Sequence, residues 1–341
     1  MATGYVYDPR FLEHTLAGHP ENRHRLESIL QVLTERSVLE RLTSIPPQPI
    51  SEDRLQGVHT PAHIARVRQV AERGGGHLDA DTYVTRHSYD AALLAAGGLL
   101  GLVEAVLAGK VDNGFALVRP PGHHATRSRG MGFCLFNNVA LAAHFARKEK
   151  GLERVLIVDF DVHHGNGTQD IFYQDPTVLF FSIHQYPFYP GTGWIAETGQ
   201  GAGKGYTVNV PLPPGVGDAG YAAIFEQILW PLAERFHPQL ILVSAGYDAH
   251  WDDPLAMMLL SVPGYAHLAQ ELVAMASHLC QGRVVFTLEG GYHLQALAYG
   301  VLNTLYALLG EQEVADPLGP SPHPEREIEE RIQKVKALHG L

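Results

Sequence analysis

Residues 155–169 read VLIVDFDVHHGNGTQ, an apolar run leading into Asp159, Asp161, His163, His164 and Asn166. Carboxylates and imidazoles are costly to withdraw from water unless they are paired or hold a metal. Asp161 and His163 are two residues apart, a spacing that on an extended strand end turns both side chains one way, with Asp159 on the same side. Alone, such a pair is more often a surface turn or a satisfied polar pair in the core than a ligand pair. A second apolar run, LILVSAGYD, delivers Asp248 in the same manner. Two such ends, converging, give an Asp-His-Asp site with open positions, the ligand number of a catalytic zinc; structural sites are closed by four. The oxygen-rich set leaves Fe(II) or Co(II) open beside Zn(II). Two carboxylates nearly neutralise a divalent cation, so a metal-bound water here needs help with its proton.

That help is present in RPPGHH, where His123 and His124 follow another strand-like run. An imidazole is the natural general base because its pKa lies near neutrality. Asp159 and Asn166 can orient the two rings, and a ring backed by Asp stays protonated more readily than one backed by neutral Asn. In LEGGYH, Tyr292 follows Gly290 and Gly291. Its hydroxyl stays protonated at pH 7 and can donate to a carbonyl oxygen and to the oxyanion that forms from it. Together these groups compose a metal-assisted amide hydrolase.

The elements that must position them are strand-like runs at Phe115–Val118, Val155–Val158, Val178–Ile183, Leu240–Val243 and Val284–Leu288. Helical patterns at Val139–Lys148, Tyr221–Phe236 and Gly264–Leu279 alternate with them. Uninterrupted Val/Ile/Leu strands between helices indicate an α/β fold with a parallel sheet covered on both faces. Ligand sites in such sheets lie beyond the carboxyl ends of the strands, where the chemically interesting residues fall. The segment Ala91–Val103 is too short to cross a bilayer and reads as a buried helix. Residues 1–315 read as one catalytic domain. Residues 316–341 form a linker (DPLGPSPHP) and a final helix, whose stripe of Ile328, Ile332 and Val335 is expected to dock on the domain or on a neighbouring subunit.

Bulk properties narrow the classes. The formal charge of −11, with 25 Lys and Arg against 36 Asp and Glu, argues against direct nucleic-acid binding. Two cysteines give no disulfide framework and, with no basic and apolar leader at the N-terminus, fit a cytoplasmic protein without a membrane anchor.

In order along the chain, RPPGHH, GFCLFNN, VDFDVHHGNGTQ, SAGYDAH with the Asp-Pro that follows, and LEGGYH resemble the zinc-dependent histone deacetylase family. The pattern is most similar to class II members and bacterial deacetylase-like amidohydrolases, and spans roughly Gly18 to Gly310. The resemblance implies a single three-layer domain around an eight-stranded parallel sheet, of the arginase/deacetylase kind. It makes Asp161, His163 and Asp248 the zinc ligands, His124 the general base backed by Asn166, His123 its electrostatic partner backed by Asp159, and Tyr292 the carbonyl-polarising donor. It implies a potassium ion held by Asp159, the Ser182 hydroxyl and main chain near Asp161, His163 and Ile183. Gly132, Phe133 and Tyr189 match an aromatic tunnel, Leu255 a gatekeeper position, and Arg25 an internal product channel.

The activity so implied is removal of acetyl or related acyl groups from the ε-amine of lysine in a protein or peptide. Acetylpolyamine hydrolysis is the runner-up, because those enzymes share the catalytic residues; the polyamine-preferring eukaryotic relative carries Glu where this chain has Leu255. A catalytically silent acyl-lysine-binding module is a third reading, which the full catalytic set speaks against. A two-metal arginase needs a further carboxylate at Gly165. Asp79 and Asp81 supply carboxylates that either face a substrate at the rim or belong to a solvated loop.

Overall fold

The computed structural model describes residues 2–341. Its strands are β1 (Thr3–Val6), β2 (Thr43–Ser44), β3 (Gly75–His77), β4 (Tyr83–Thr85), β5 (Asn113–Ala116), β6 (Val155–Asp159), β7 (Val178–Gln185), β8 (Thr207–Leu212), β9 (Leu240–Ala245) and β10 (Val284–Leu288). Eight of them form one parallel sheet in the order β2-β1-β5-β10-β9-β6-β7-β8, while β3 and β4 make a separate antiparallel hairpin. The central strands β6, β9 and β10 are buried at every position, as continuous apolar runs must be when helices cover both faces.

Three sheet strands escape the apolar-run reading for identifiable reasons. β2 is two residues long, β1 contains Gly4, and β8 interleaves Thr, Asn and Pro (TVNVPL). Pro211 is tolerated because β8 closes the sheet, and an edge strand leaves one side of its backbone unpaired. β5 also starts two residues before the apolar run read from the sequence and stops at Ala116, although Leu117 still donates its N–H to the Val6 carbonyl at 2.9 Å.

The helix expected around Ala91–Val103 runs over Ser88–Leu107. Its length and hydropathy would allow a membrane crossing, but most of it is buried in the core. Gly97 lies so close to the Gln48 carbonyl that no Cβ could be accommodated. The pattern at Tyr221–Phe236 is one continuous helical stretch interrupted by a π turn at Phe225–Leu229. Pro231 has no N–H to return to the Gln227 carbonyl, which accounts for the wider turn there.

Residues 316–341 lie on the body of the same chain. Arg326 N donates to the Gly215 carbonyl (2.7 Å), and the Glu325 carboxylate accepts from Ala219 N (3.1 Å). The helix Glu329–His339 buries Ile332 and Val335 beside β8. The sheet therefore presents two ends. At the amino-terminal end an open cleft of about 520 Å³ is lined by Arg154, Lys204, Arg235, His237, Tyr206 and apolar residues, without a carboxylate. At the carboxyl end converge Asp159, Asp248 and Glu289.

Candidate active site

Asp161 and His163 meet by a route other than strand alternation. β6 stops at Asp159, and the chain turns. Asp159 Oδ1 accepts from Asp161 N (3.2 Å), and Asp161 Oδ1 accepts from His163 N (2.9 Å). Such side-chain-to-backbone bonds two residues on are how Asp builds turns. Asp248, beyond β9, accepts from Val162 N at 2.9 Å, which locks the two strand ends together. His163 Nδ1 then lies 3.2 Å from Asp161 Oδ1 and 3.2 Å from Asp248 Oδ2. Ligand-type atoms of Asp161, His163 and Asp248 fall within 4.8 Å of one another. Asp159 does not join them; its carboxylate turns to His123.

The cluster carries more negative charge than its single imidazole balances. Burial and the Asp161 charge raise the pKa of Asp248. Burial works against charge on His163, but its hydrogen bonds to Asp161 and Asp248 hold it up at about 10. Asp161, despite burial, is held well below the usual carboxylate range by His123 and His163. Two desolvated carboxylates and one imidazole around a common point fit a divalent cation. Gly290 is required here, since a Cβ would run into the carboxylates of both Asp248 and Asp161.

The histidine pair is differentiated by what stands behind each ring. His123 Nδ1 lies 3.0 Å from Asp159 Oδ2, and His124 Nδ1 lies 2.8 Å from Asn166 Oδ1. Burial opposes the charged form of His123, yet the Asp159, Asp161 and Glu289 carboxylates lift its pKa well above the ordinary value. Burial, reinforced by the positive charges of His123 and His163, pushes His124 well below it. Asp159 itself is pushed up to about 6 by burial, partly offset by His123. His164 faces away, with Nδ1 on Thr192 (2.8 Å) and Nε2 on Gln169 (3.1 Å).

A cavity of about 200 Å³ opens onto these groups, lined by Asp81, Pro121, His123, His124, Gly132, Phe133, His163, Tyr189, Leu255, Gly290 and Tyr292. Gly132 and Phe133 both have positive φ, and Met131 and Cys134 exchange backbone hydrogen bonds around them (3.1 and 3.0 Å). This is a tight two-residue hairpin turn, unusual in having Phe at a position that favours Gly or Asn. It aims the Phe133 ring into the cavity, and a Cβ at Gly132 would strike the His124 ring. Phe133 meets Tyr292 edge-on at 5.9 Å, and Tyr189 meets His124 at 5.2 Å. Burial raises the pKa of Tyr292 far above 10, with Arg25 pulling the other way, so its hydroxyl keeps its proton. Of the rim carboxylates, Asp81 lines the mouth, while Asp79 Oδ1 caps its own turn by accepting from Thr82 N (2.8 Å).

Arg25 is fully buried beneath the Tyr292 ring, 5.1 Å from its centroid, and donates to the Gly291 carbonyl at 2.8 Å and to that of Glu289. Ser182, paired with Asp159 across β6 and β7, shares a 2.9 Å hydrogen bond with His184 Nδ1. Ile183 follows it, buried.

Several residues that hold the site lie outside the sequence reading. Glu289 Oε2 accepts from Gly122 N (2.7 Å) and His123 N (3.2 Å), anchoring the histidine loop to the end of β10. Its place directly before the Gly290-Gly291 pair was the available signal. Glu289, His123 and Cys134 also make up a second group of ligand-type atoms, but Glu289 and His123 are engaged with the loop backbone, Ser244 and Asp159. Glu21 pairs with Arg119 and, at 3.1 Å, with Arg25, all three fully buried. No local pattern announces partners 98 residues apart.

Fold and site together define a parallel α/β protein with a candidate single-metal centre at the base of a narrow, aromatic-walled cavity. The histone deacetylase domain model matches residues 19–308, and the chain belongs to that family. It is 44% identical over 91% of its length to a probable deacetylase of Archaeoglobus fulgidus, covering 87% of that protein. It is 43% identical over 94% of its length to the human polyamine deacetylase HDAC10, of which it spans 49%. The crystal structure of the HDA15 HD domain superposes with a TM-score of 0.90 at 39% identity, covering 99% of this chain and 93% of that one.

Proposed function

We propose that the chain is a zinc-dependent deacetylase that cleaves the amide between an acetyl or related acyl group and the ε-amine of lysine. The observation that carries this reading is the convergence of a depressed histidine, His124, and a protonated tyrosine, Tyr292, on the cavity above Asp161, His163 and Asp248. Those three residues would hold the zinc, with Fe(II) or Co(II) compatible with the same donors. Bound there, the cation would supply Lewis acidity toward the acyl carbonyl and make a neighbouring water more acidic.

The chain's own residues handle the protons. With Nδ1 committed to Asn166, His124 presents Nε2 to the cavity and accepts the proton of the attacking water. The same nitrogen then delivers that proton to the departing amine. Tyr292 donates to the acyl oxygen as negative charge develops on it. His123, kept protonated beside Asp159, adds positive charge without exchanging protons. Phe133 and Tyr189 grip the methylene stem of the substrate lysine. Asp159 and Ser182 would hold a potassium ion together with main chain near Asp161, His163 and Ile183; a desolvated carboxylate pushed up to about 6 fits a nearby cation. Arg25, beneath Tyr292, would mark the exit of acetate.

This assignment fixes a pH dependence. The base must be neutral, so activity is lost as pH falls through the pKa of His124. Asn166→Asp places a negative charge behind Nδ1, raises that pKa, and should move the acidic limb of the kcat/KM profile to higher pH. An unmoved or lowered limb would show that the base is another group.

Acetylpolyamine hydrolysis is favoured as a second reading by one observation, the Asp81 carboxylate at the cavity mouth, and by the relatives named polyamine deacetylase. Leu255 weighs against it, because an additional ammonium is costly to desolvate where no carboxylate meets it. Acetyl-lysine peptides should therefore exceed N-acetylated putrescine and spermidine in kcat/KM. Leu255→Glu should shift the ratio toward the polyamines by about 1.5–3 kcal/mol, the range for a hydrogen bond to a charged group. A tenfold preference of the unaltered enzyme for acetylpolyamines would replace the acyl-lysine reading with the second one.

A further inference from the structure

The Asp-Pro that follows SAGYDAH takes no part in the chemistry above, yet its Asp253 is 6% exposed and bonds to two separate loops. Its Oδ1 accepts from Leu255 N at 2.9 Å, within the turn that forms the tunnel wall. Its Oδ2 accepts from Tyr292 N at 2.7 Å and from His293 N at 3.1 Å, across to the loop that leads into the helix Leu294–Leu309.

The Tyr292 loop needs such a tie. Tyr292 follows Gly290 and Gly291, and Gly291 has φ +115°, backbone freedom that other residues rarely use. The Tyr292 ring rests on Phe133 and on Arg25, contacts that permit sliding. Arg25 holds the Gly291 carbonyl on one side of the loop. The amides of Tyr292 and His293 would otherwise be donors turned toward a largely buried site without an acceptor, which is unfavourable. A carboxylate suits the place because both of its oxygens accept, so one side chain serves two loops.

We propose that Asp253 is a positioning residue for catalysis: by bonding the Tyr292 and His293 amides on one oxygen and Leu255 on the other, it sets where the Tyr292 hydroxyl stands relative to the tunnel wall. The inference rests on the reading of Tyr292 as the oxyanion donor. Small errors in such placement are costly, because a donor contributes only when aimed at the position where charge develops.

Asp253→Ser separates the two ties. A serine hydroxyl can still accept from the amide two residues on, preserving the Leu255 turn, but is too short to reach Tyr292. The expected result, with acetyl-lysine peptide as substrate, is a fall in kcat of tenfold or more, KM changed less than threefold, and metal content equal to that of the unaltered enzyme. In a Tyr292→Phe background the same substitution should cost less than threefold, since the donor it positions is gone. Equal losses in both backgrounds, a loss of metal, or a kcat within twofold of the unaltered enzyme would each overturn the proposal. Near-normal turnover by Tyr292→Phe alone would instead retire the reading of Tyr292. If Asp253→Ser does not fold, amide hydrogen exchange on the unaltered protein decides. Protected Tyr292 and His293 amides are expected, and exchange at the rate of an open loop overturns the tie.

Discussion

Asp248→Ala is expected to remove stoichiometric metal and measurable deacetylation together, while the chain stays folded. Asp248 supplies one of the two carboxylates around His163, at 3.2 Å. Its loss leaves Asp161 and His163, an ion pair already at 3.2 Å that approaches neutrality without any cation. One carboxylate and one imidazole alone are a poor site for a divalent ion. The structural cost is modest: Val162 N loses its 2.9 Å acceptor, worth about 1–3 kcal/mol if the amide stays buried. The sheet beneath rests on β6 and β9, paired from Val155 to Asp159, and is not touched by the change. Metal analysis of the purified variant, with a melting curve beside it, checks the expectation. Full occupancy in a folded variant would remove Asp248 from the ligand set.

Tyr292→Phe should separate binding from catalysis. The ring stays, so the contact with Phe133 and the cavity wall persist and KM should change little. Only the hydroxyl goes, and in the proposed mechanism it acts on charge that develops on the acyl oxygen as water adds to the carbonyl. Loss of one oxyanion donor costs roughly two to three orders of magnitude in kcat. The buried hydroxyl holds its proton across the working pH range, so the deficit should be nearly constant with pH. A deficit that closes at high or low pH would point to a proton-transfer role instead.

What could be read from the chain follows from where its information is local. β6, β9 and β10 announce themselves because buried parallel strands are runs of Val, Ile and Leu, and a site beyond their carboxyl ends follows from topology. The two segments that carry Asp161, His163 and Asp248 were legible because both continue such runs. Their convergence was legible only as a condition, and the Val162–Asp248 hydrogen bond that meets it joins residues 86 apart in the chain. Asp161 and His163 come together as their spacing suggests, but through turns rather than alternation, since the strand ends at Asp159. β8 hid because an edge strand may carry Asn and Pro. Glu289 and Asp253 hid because acidic residues near active-site motifs look like further chemistry or like surface, whereas here each binds backbone amides of another loop. The Glu21, Arg25 and Arg119 cluster is invisible to any periodicity, being built from three distant segments that meet in the interior.

The measurement that tests the account most directly is amine release from an acetyl-lysine peptide by the unaltered protein, before and after removal of bound metal with a chelator. Hydrolysis should fall to the uncatalysed rate in protein shown by metal analysis to be empty. It should return on addition of zinc in proportion to occupancy, levelling at one equivalent per chain. Undiminished hydrolysis by verified metal-free protein would contradict the account.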